Sequence, residues 1–312
     1  MIYSKVPREL VGMGTRRAII IGDCWAAGSH SLENNQEWFA QDDERLACGN
    51  HVCVTYIMPD AFSLALFPVP GIPLAGGGED VGEIVVEKCR SAGFAIRDRD
   101  VVVIAQKLVS KAEHRVYKLA DFDPSPQARA LSERTGRDPR MCEAYLQESD
   151  EVVEIGRATR HGLMVMTRHK IGFVAQGAGI DQSNICAGDE PHLIMLPKDP
   201  DASAREIRKR IRELTDREVA VIINDSFGRL DRLGSMGMSI GFAGISHVER
   251  RKQTDLFGGH ITPVIALVDE LSAAASMLMG QGDEGIPVVI VRGAPYTTNE
   301  ESGIRDLLYH PE

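Results

Sequence analysis

The sequence has no apolar run long enough to cross a bilayer. The longest runs, such as Ile286–Val291, fall far short of the roughly 20 apolar residues that a membrane-spanning helix needs. The first residues also lack the order of basic, apolar and small side chains that marks a secretory signal peptide. These absences argue against a membrane or secreted protein, and we expect a cytoplasmic one.

An excess of basic residues is missing too. The chain has 35 Lys and Arg against 45 Asp and Glu, so its formal net charge is −10. Proteins that follow phosphate backbones are usually basic, so this balance argues against nucleic acid as a partner. An anionic small-molecule substrate would need local lysines, arginines or a metal ion to offset the negative charge.

Two common binding motifs are absent as well. The six cysteines include no C-x-x-C pair, which argues against a structural zinc site and favours reduced, structural thiols. No Walker A sequence is present, so a bound nucleotide would need a different phosphate-binding loop.

What is present divides the chain in two. Residues 1–65 hold both tryptophans and only two strand-like runs, at 17–21 and 51–57, and are interpreted as an N-terminal extension whose order the pattern does not decide. Residues 66–312 are predicted to form the main domain. Its predicted helices lie at 79–93, 126–135, 139–149, from about 199, and at 270–279, and its strands at 101–105, 163–167, 171–175, 193–196, 219–223 and 287–291. Because these elements alternate without strict βαβ regularity, the predicted fold class is α+β, or mixed α/β.

The first candidate motif is Asp181-Gln182-Ser183-Asn184, which follows a glycine-rich stretch. Glycines let the backbone approach a ligand closely, and a carboxylate oxygen is the kind of ligand that Mg²⁺ or Mn²⁺ requires. An ordinary Asx turn or helix cap explains the same residues, and both interpretations stay open.

A second motif, Asn224-Asp225-Ser226, follows the buried strand predicted at 219–223. An acid and a hydroxyl at the carboxyl end of such a strand are a plausible metal pair, and Arg229 or Arg232 could face a phosphate. The alternative is a polar exit from a strand into a loop.

Two further features suggest phosphate binding. Lys111 follows the strand predicted at 101–105 and could act as a point charge on a nucleotide, although an ordinary solvated lysine is the default interpretation of this feature alone. The glycine-rich stretch 279–287 could wrap a nucleotide, or it could be an acidic surface loop in which Gly280 caps the preceding helix.

Taken in order, the motifs and their flanks resemble the F420-0:L-glutamate ligases over about residues 66–295. The blocks that carry this resemblance include Gly71-Ile72-Pro73-Leu74, Ala105-Gln106-Lys107, Ser110-Lys111-Ala112-Glu113, Asp138-Pro139-Arg140, Ala178-Gly179-Ile180-Asp181, Ser183-Asn184, the Asp225 segment, Asp269-Glu270 and Val291-Arg292-Gly293.

The resemblance implies a two-lobed catalytic domain that acts as a homodimer and uses GTP to join L-glutamate to F420-0. It implies two divalent ions, Mg²⁺ or Mn²⁺, with K⁺ as a further candidate cation. The implied catalytic residues are Asp181, Asp225 and Lys111, and the implied metal ligands are Asp181, Asp225, Ser226 and Gln281. The implied GTP-binding residues are Ile72, Pro73, Leu74, Ala75, Gln106, Lys107, Lys111, Asn184, Gly280, Gly282, Asp283 and Gly285.

Three positions depart from the family pattern. Gly177 stands where asparagine is usual, Asp231 where an aromatic residue is common, and Gly259 where an arginine is common. The loss of an arginine and the gain of an acid weaken attraction for an anionic acceptor. Two alternatives therefore accompany the ligase prediction: a GTP-dependent glutamyl ligase with another acceptor, such as a folate, and a catalytically silent nucleotide-binding homologue.

Overall fold

The computed structural model describes residues 18–23, 52–58, 62–159, 161–185, 190–229 and 232–309, with side chains from residue 63 onward. The helices are α1 (Val81–Ser91), α2 (Gln106–Ala112), α3 (Pro126–Thr135), α4 (Pro139–Glu148), α5 (Pro200–Thr215), α6 (Leu267–Met279) and α7 (Ile304–Leu307). Within these ranges, no helix is both long and apolar enough to span a membrane.

Seven strands form one large sheet: β1 (Ala18–Asp23), β2 (Val52–Met58), β3 (Phe62–Pro68), β16 (Val288–Arg292), β4 (Val101–Ala105), β10 (Ala220–Gly228) and β11 (Ser235–Ala243), in that spatial order. A second sheet holds β6 (Ser149–Thr159), β7 (Gly162–His169) and β8 (Val174–Gln176). The remaining strands form two-stranded pairs: β5 (Val116–Lys118) with β9 (His192–Ile194), β12 (Glu249–Arg250) with β15 (Val264–Ile265), and β13 (Gln253–Thr254) with β14 (His260–Ile261). This mixture confirms the α+β class.

Three helices begin in the same way. Ser125, Asp138 and Asp199 each cap a helix by accepting a backbone N–H from its first turn, and a proline follows each cap. The side-chain oxygen satisfies a donor that the helix leaves unpaired, and proline fits the first helical position because no N–H is needed there. Their positions could therefore be predicted from the sequence.

The centre of the large sheet is its one parallel pair, β4 and β10. Ala105 lies opposite Asn224, so the carboxyl ends of the two strands meet. The other neighbouring strands of this sheet run antiparallel. Residues 101–104 are completely buried, as expected for a strand covered on both faces.

The described residues form two hydrophobic cores. The larger core joins β4, β10, β11 and β16 with helices α1, α2, α5 and α6. The smaller core joins α3 and α4 with parts of β7 and β9, and it contains Leu131, Cys142, Tyr145, Val165 and Leu193. Two cores agree with the two-lobed fold that the family resemblance implies. Cys89 and Cys142 are buried thiols without a disulfide partner, one in each core.

Several predicted elements differ in extent. Strand β10 continues through Asp225 to Gly228 instead of ending before Asn224, because β11 pairs with it along this stretch. Lys111 lies on helix α2, which follows β4 directly. The sequence predicted the strand at 101–105 but no helix after it. The strand predicted at 171–175 corresponds to β8, which is shorter and begins later, at Val174. Strands β6 and β11 were not predicted. The runs at 17–21 and 51–57 are confirmed as β1 and β2 within two residues. The domain boundary at residue 65 stays a prediction.

Candidate active site

Polar residues cluster where β4 and β10 end side by side. Asp225 and Ser226 follow Asn224 on β10, and helix α2 begins immediately after Ala105 of β4. In open α/β sheets, ligands bind at the carboxyl ends of the strands, particularly where helix and strand directions leave a crevice. The two strands therefore bring the second and third candidate motifs to one place.

Asp225 is partly buried at this end of the sheet, and its Oδ1 accepts the backbone N–H of Ser226 at 2.8 Å. Burial raises the pKa of the Asp225 carboxyl to about 7. The Ser226 N–H and the Lys107 ammonium oppose this rise in pKa, whereas the negative charge of Asp181 adds to it. Near neutral pH, this carboxyl group is therefore poised between binding a proton and binding a cation.

Asp181 forms a tight turn with the residues that follow it. Its Oδ1 accepts the backbone N–H groups of Gln182 and Ser183 at 2.6 and 2.8 Å, so the Asx-turn interpretation is correct for the local geometry. Its Oδ2 lies 2.6 Å from Lys107 Nζ and accepts the Ser183 hydroxyl at 3.0 Å. Burial would raise the pKa of Asp181, but the Lys107 ion pair and the bonds from Ser183 outweigh it and lower that pKa. The carboxylate is thus ionised and faces the site.

Two lysines reach this turn from helix α2. Lys107 Nζ donates to the Ser183 hydroxyl at 2.8 Å, and Lys111 Nζ donates to the Asn184 carbonyl at 2.7 Å. Residues four apart lie on the same face of a helix, which explains why both side chains meet one turn. The first and third candidate motifs are therefore in direct contact.

The glycine-rich loop after α6 is the fourth candidate motif, and it contacts the first and the second. Asn184 Nδ2 donates to the Gly282 carbonyl at 2.9 Å, and the Ser226 hydroxyl donates to Gln281 Oε1 at 3.1 Å. The Gly282 N–H in turn donates to the Glu284 carboxylate at 2.8 Å. All four candidate motifs thus meet through hydrogen bonds between side chains and backbone, although they are far apart in the sequence.

Gly280 ends α6, as the sequence predicted, with a φ of 69°. A Cβ atom at this position would lie 2.1 Å from the carboxyl carbon of Glu284. Glycine is therefore the residue that allows this loop to turn with Glu284 folded back over it. Asp283 and Gly285 are exposed on the same loop.

Gln106 lies in the floor of the site and is only 2% exposed. Its Oε1 accepts the Ser110 hydroxyl at 2.8 Å, whereas its buried Nε2 makes no hydrogen bond of ordinary length. The Gln106 amide nevertheless lies close enough to the Asp225 carboxylate to oppose the rise in the pKa of that group. Gln106 therefore belongs to the immediate surroundings of Asp225.

Residues Ile72 to Ala75 come shortly before Gly78, whose N–H donates to the Ala112 carbonyl at the carboxyl end of α2 at 2.7 Å. Ile72 and Ala75 pack partly against the large core, whereas the Leu74 side chain is 93% exposed. The segment is thus anchored next to the helix that carries Lys111, with one apolar side chain left in solvent.

The predicted metal ligands form an oxygen-only set. Among the described residues, no group of three His, Cys, Asp or Glu side chains could hold a metal ion. The predicted set instead offers two carboxylates, one hydroxyl and one amide oxygen, from Asp181, Asp225, Ser226 and Gln281. Hard cations such as Mg²⁺ and Mn²⁺ prefer oxygen ligands and complete their shells with water and phosphate, so these residues fit such an ion.

Comparison with known protein families identifies the family of this chain. The model of the F420-0:Gamma-glutamyl ligase family matches residues 71–293, a span that contains every predicted site residue. The chain belongs to this family. The resemblance inferred over residues 66–295 is therefore confirmed.

Several relatives in the F420 ligase family cover most of the chain. A coenzyme F420:L-glutamate ligase of Methanothermobacter thermautotrophicus is 43% identical over 249 residues, which are 78% of this chain and 95% of the relative. The ligase of the same name from Methanocaldococcus jannaschii is 40% identical over 241 residues, covering 76% and 90%. That of Archaeoglobus fulgidus is 38% identical over 232 residues, covering 73% and 87%.

Two departures from the family pattern have local structural causes. Gly177 has a φ of 54°, and a Cβ atom there would lie 2.7 Å from the ring of Tyr145. A Cβ atom at Gly259 would lie 2.5 Å from the Asp255 carboxylate, which accepts the Gly259 N–H at 2.7 Å. Both glycines therefore suit their immediate neighbours. The third departure, Asp231, lies outside the described residues.

Gly177→Ala is expected to lower the free energy of unfolding by about 2–4 kcal/mol, because positive-φ strain and the clash with Tyr145 add together. Urea denaturation would measure this loss. Gly93→Ala is the matched control, since Gly93 has a φ of 82° with no atom within 4 Å of the added Cβ. It should lose only about 1 kcal/mol from backbone strain. Equal losses at both positions would show that the Tyr145 contact does not constrain residue 177.

Sequence reasoning gave no individual role to three residues at this site. Ser183 bridges Lys107 and Asp181, and Glu284 holds the loop backbone through Gly282. The buried Asn224 side chain donates to Ser276 on α6 at 3.0 Å, whereas its Oδ1 has no partner. Each lies next to a predicted site residue, but only the three-dimensional contacts reveal what its side chain does.

Proposed function

We propose that this chain is a GTP-dependent ligase that joins L-glutamate to coenzyme F420-0 through an amide bond. The observation that carries the proposal is that an oxygen-donor set and two lysines meet at the ends of β4 and β10. Family membership supports it, since the relatives named above are coenzyme F420:L-glutamate ligases.

The proposed reaction has two steps. A carboxylate oxygen of F420-0 attacks the γ-phosphorus of GTP, which forms an acyl phosphate and releases GDP. The amine of L-glutamate then attacks the acyl carbon, forms the amide bond and displaces phosphate. The first step is needed because a free carboxylate is a poor electrophile, and phosphorylation supplies a leaving group.

Divalent ions belong to this proposal. Asp181, Asp225, Ser226 and Gln281 would hold them. Such ions, when bound, neutralise the negative charge that accumulates on the transferred phosphoryl group. The raised pKa of Asp225 supports a cation there, because a positive ion would replace the proton that burial favours. K⁺ is a further candidate cation that only the resemblance suggests.

The nucleotide would lie along α2 and the loop after α6. Lys107 and Lys111 would offset phosphate charge, and the backbone N–H groups of the loop could donate to phosphate oxygens as in other glycine-rich loops. Buried Gln106, which contributes to the surroundings of Asp225, would line this part of the site. The anchored segment from Ile72 to Ala75 would form the edge of this site.

The acceptor is the part of the proposal that the three departures affect. A glutamyl ligase for another carboxylate, such as a folate, is favoured by the glycine at 259 and the acid at 231. A silent nucleotide-binding homologue would not need Asp181, Asp225 and Lys111, all of which are retained in contact with the site. We therefore place F420-0 first among the acceptors.

A homodimer, which the family resemblance implies, is also part of the proposal. The hairpin of β13 and β14 presents Leu256 and Phe257, each 98% exposed. The Asp255 carboxylate fixes this tip by accepting the backbone N–H of Phe257 at 2.8 Å. Two adjacent apolar side chains held in solvent are typical of a surface that a second protein chain covers.

The test is an assay of the purified protein with GTP, Mn²⁺ or Mg²⁺ and L-glutamate, with and without F420-0. We expect GDP release that depends on F420-0 and a product heavier by one glutamyl unit, measured by mass spectrometry. Release that depends on a folate instead would support the alternative acceptor. GTP binding without turnover of any acceptor would contradict the ligase proposal. Asp225→Asn serves as the inactive control.

A further inference from the structure

Behind the Asp181 turn lies a buried arginine with three side-chain bonds. Arg115 is 5% exposed and lies between α2 and β5. Its Nε donates to the Leu196 carbonyl at 2.9 Å, one terminal nitrogen donates to the Tyr117 hydroxyl at 2.9 Å, and the other donates to Glu148 Oε2 at 2.5 Å. One side chain thus links three separate segments.

The backbone of Arg115 makes equally specific contacts. Its N–H donates to the Ser110 carbonyl at 2.8 Å, and its carbonyl accepts the Met195 N–H at 3.0 Å. The residue before Met195 is Ile194, which pairs with Asp181 through two backbone bonds of 2.9 and 3.1 Å. Arg115 therefore contacts both the end of the helix that carries the two lysines and the segment after β9, the strand that pairs with Asp181.

Glu148, the last residue of α4, is fixed from the other side. Oε2 of Glu148 lies 3.7 Å from Nε2 of the buried His169 ring. His169 Nδ1 accepts the Ile171 N–H at 3.0 Å, which leaves Nε2 as the ring nitrogen that faces Glu148. Glu148 also accepts the Lys170 N–H through its backbone carbonyl at 3.1 Å. The carboxylate thus bonds to the guanidinium group on one side and faces an imidazole ring at a longer distance on the other.

A buried ion pair is weak evidence for stability, because desolvation of the two charges offsets much of their attraction. What such a pair supplies is direction, since the planar guanidinium group presents its donors in a fixed geometry. Here Nε of Arg115 fixes the carbonyl of Leu196. Leu196 lies two residues after Ile194, the strand residue that pairs with Asp181. The geometry of the site, more than the stability of the lobe, depends on these bonds.

We propose that Arg115 and Glu148 are positioning residues that hold the Asp181 turn against Lys107 and Lys111. This inference rests on the proposed function, because it assumes that Asp181 is a metal ligand. Groups that support metal ligands in this way usually change metal affinity by 10- to 100-fold when they are removed.

The experiment measures Mn²⁺ binding to the nucleotide-free protein by electron paramagnetic resonance, alongside thermal melting and steady-state kinetics. Arg115→Lys keeps the positive charge but loses the planar group that makes the three bonds together, and Glu148→Gln removes the negative charge. The double variant Arg115→Met/Glu148→Gln leaves no unpaired buried charge, so it should fold even where a single variant fails. Glu151→Gln is the control, because Glu151 pairs with Arg168 at 2.7 Å in the same lobe but on the exposed face.

We expect the Mn²⁺ dissociation constant to rise about tenfold or more in the double variant, with near-normal melting, and to stay unchanged in the control. At saturating Mn²⁺, kcat of the double variant should lie closer to its wild-type value than the apparent Mn²⁺ affinity does. Lower melting temperatures with an unchanged Mn²⁺ dissociation constant would overturn the positioning role. Absence of Mn²⁺ binding in the wild-type protein would instead contradict the metal site of the proposed function, so the two failures are distinguishable.

Discussion

Asp225→Asn should lower turnover by about 1,000-fold or more and should also make the metal-free protein more stable. The loss of turnover follows because an amide is a poorer cation ligand than a carboxylate, and about 4 kcal/mol of lost transition-state stabilisation corresponds to that factor. The gain in stability follows because the native protein holds this carboxyl group where burial raises its pKa to about 7. Ionisation of this carboxyl group costs free energy in the folded protein, so its removal stabilises the fold.

The sign of the pH dependence distinguishes this explanation from a general loss of structure. The pKa of Asp225 is about 7 in the folded protein and near 3.9 in the unfolded chain, so ionisation destabilises the fold increasingly as the pH rises from about 4 to 7. The upper bound is about 4 kcal/mol above pH 7, at 1.36 kcal/mol for each pKa unit. The variant should therefore gain more stability at pH 8 than at pH 5.

Thermal melts in chelator at the two pH values, repeated with Mn²⁺, would measure both effects. Mn²⁺ should raise the melting temperature of the wild-type protein and leave Asp225→Asn nearly unchanged. Asp123→Asn is the matched control, because the Asp123 side chain is fully exposed and its ion pair with Arg129 is long, at 3.9 Å. Near-normal turnover of Asp225→Asn would remove Asp225 from the metal site.

Lys111→Met should lower kcat/KM for GTP by about 100-fold, the second largest effect that we expect. A fixed positive charge facing a phosphoryl group typically contributes 10²- to 10³-fold. Lys111 is held at the site by its bond to the Asn184 carbonyl, which methionine cannot make. Lys111→Arg keeps the charge and should recover part of the activity, although its planar head is a poor substitute for an ammonium group.

Steady-state kinetics with varied GTP would measure this effect, and a fluorescent GTP analogue would report nucleotide affinity directly. Lys209→Met is the control, since the Lys209 side chain is 64% exposed on α5 and lies 3.7 Å from Glu206 on the same helix. A melting temperature that falls while kcat/KM stays normal would show that Lys111 supports the fold and not the nucleotide.

The sequence predicted the elements with strong local signals. Strand β4 and helices α3 and α4 match their predicted bounds within one residue, because an uninterrupted apolar run or a cap followed by proline marks each of them. Strand β11 was missed because its sequence is rich in small residues. The structure explains this composition: a Cβ atom at Gly237 would lie 1.9 Å from the Ser276 hydroxyl, and one at Gly241 would lie 2.4 Å from Pro200.

Two other elements had weak signals. Strand β6 is largely exposed and its pairing with β7 shifts register three times, so no regular alternation of polar and apolar residues appears. Helix α2 has only seven residues and begins without a side-chain cap at Ala105. A helix this short depends on packing against its neighbours, which local sequence does not record.

The candidate site was predicted residue by residue, but its contacts were not. The resemblance to the family assigned Asp181 to a metal and Lys107 to the nucleotide, whereas the structure pairs them directly at 2.6 Å. Asn184 and Gly282 are 98 residues apart in the chain and share a hydrogen bond. No periodicity in the sequence encodes contacts over such a separation, so they follow only from the way β4 and β10 are brought together.

The place of β16 in the large sheet has a consequence for the order in which the chain can fold during synthesis. This strand lies between β3 and β4, yet in the described residues only the short helix α7 follows it. About 190 residues separate the start of β4 from that of β16. A ribosome needs roughly 10 to 40 s to add these residues. During that time β16, which will lie between β3 and β4, has not yet been made. The nascent chain must therefore keep two apolar strand edges from pairing wrongly, and its large sheet can close only after β16 has been synthesised.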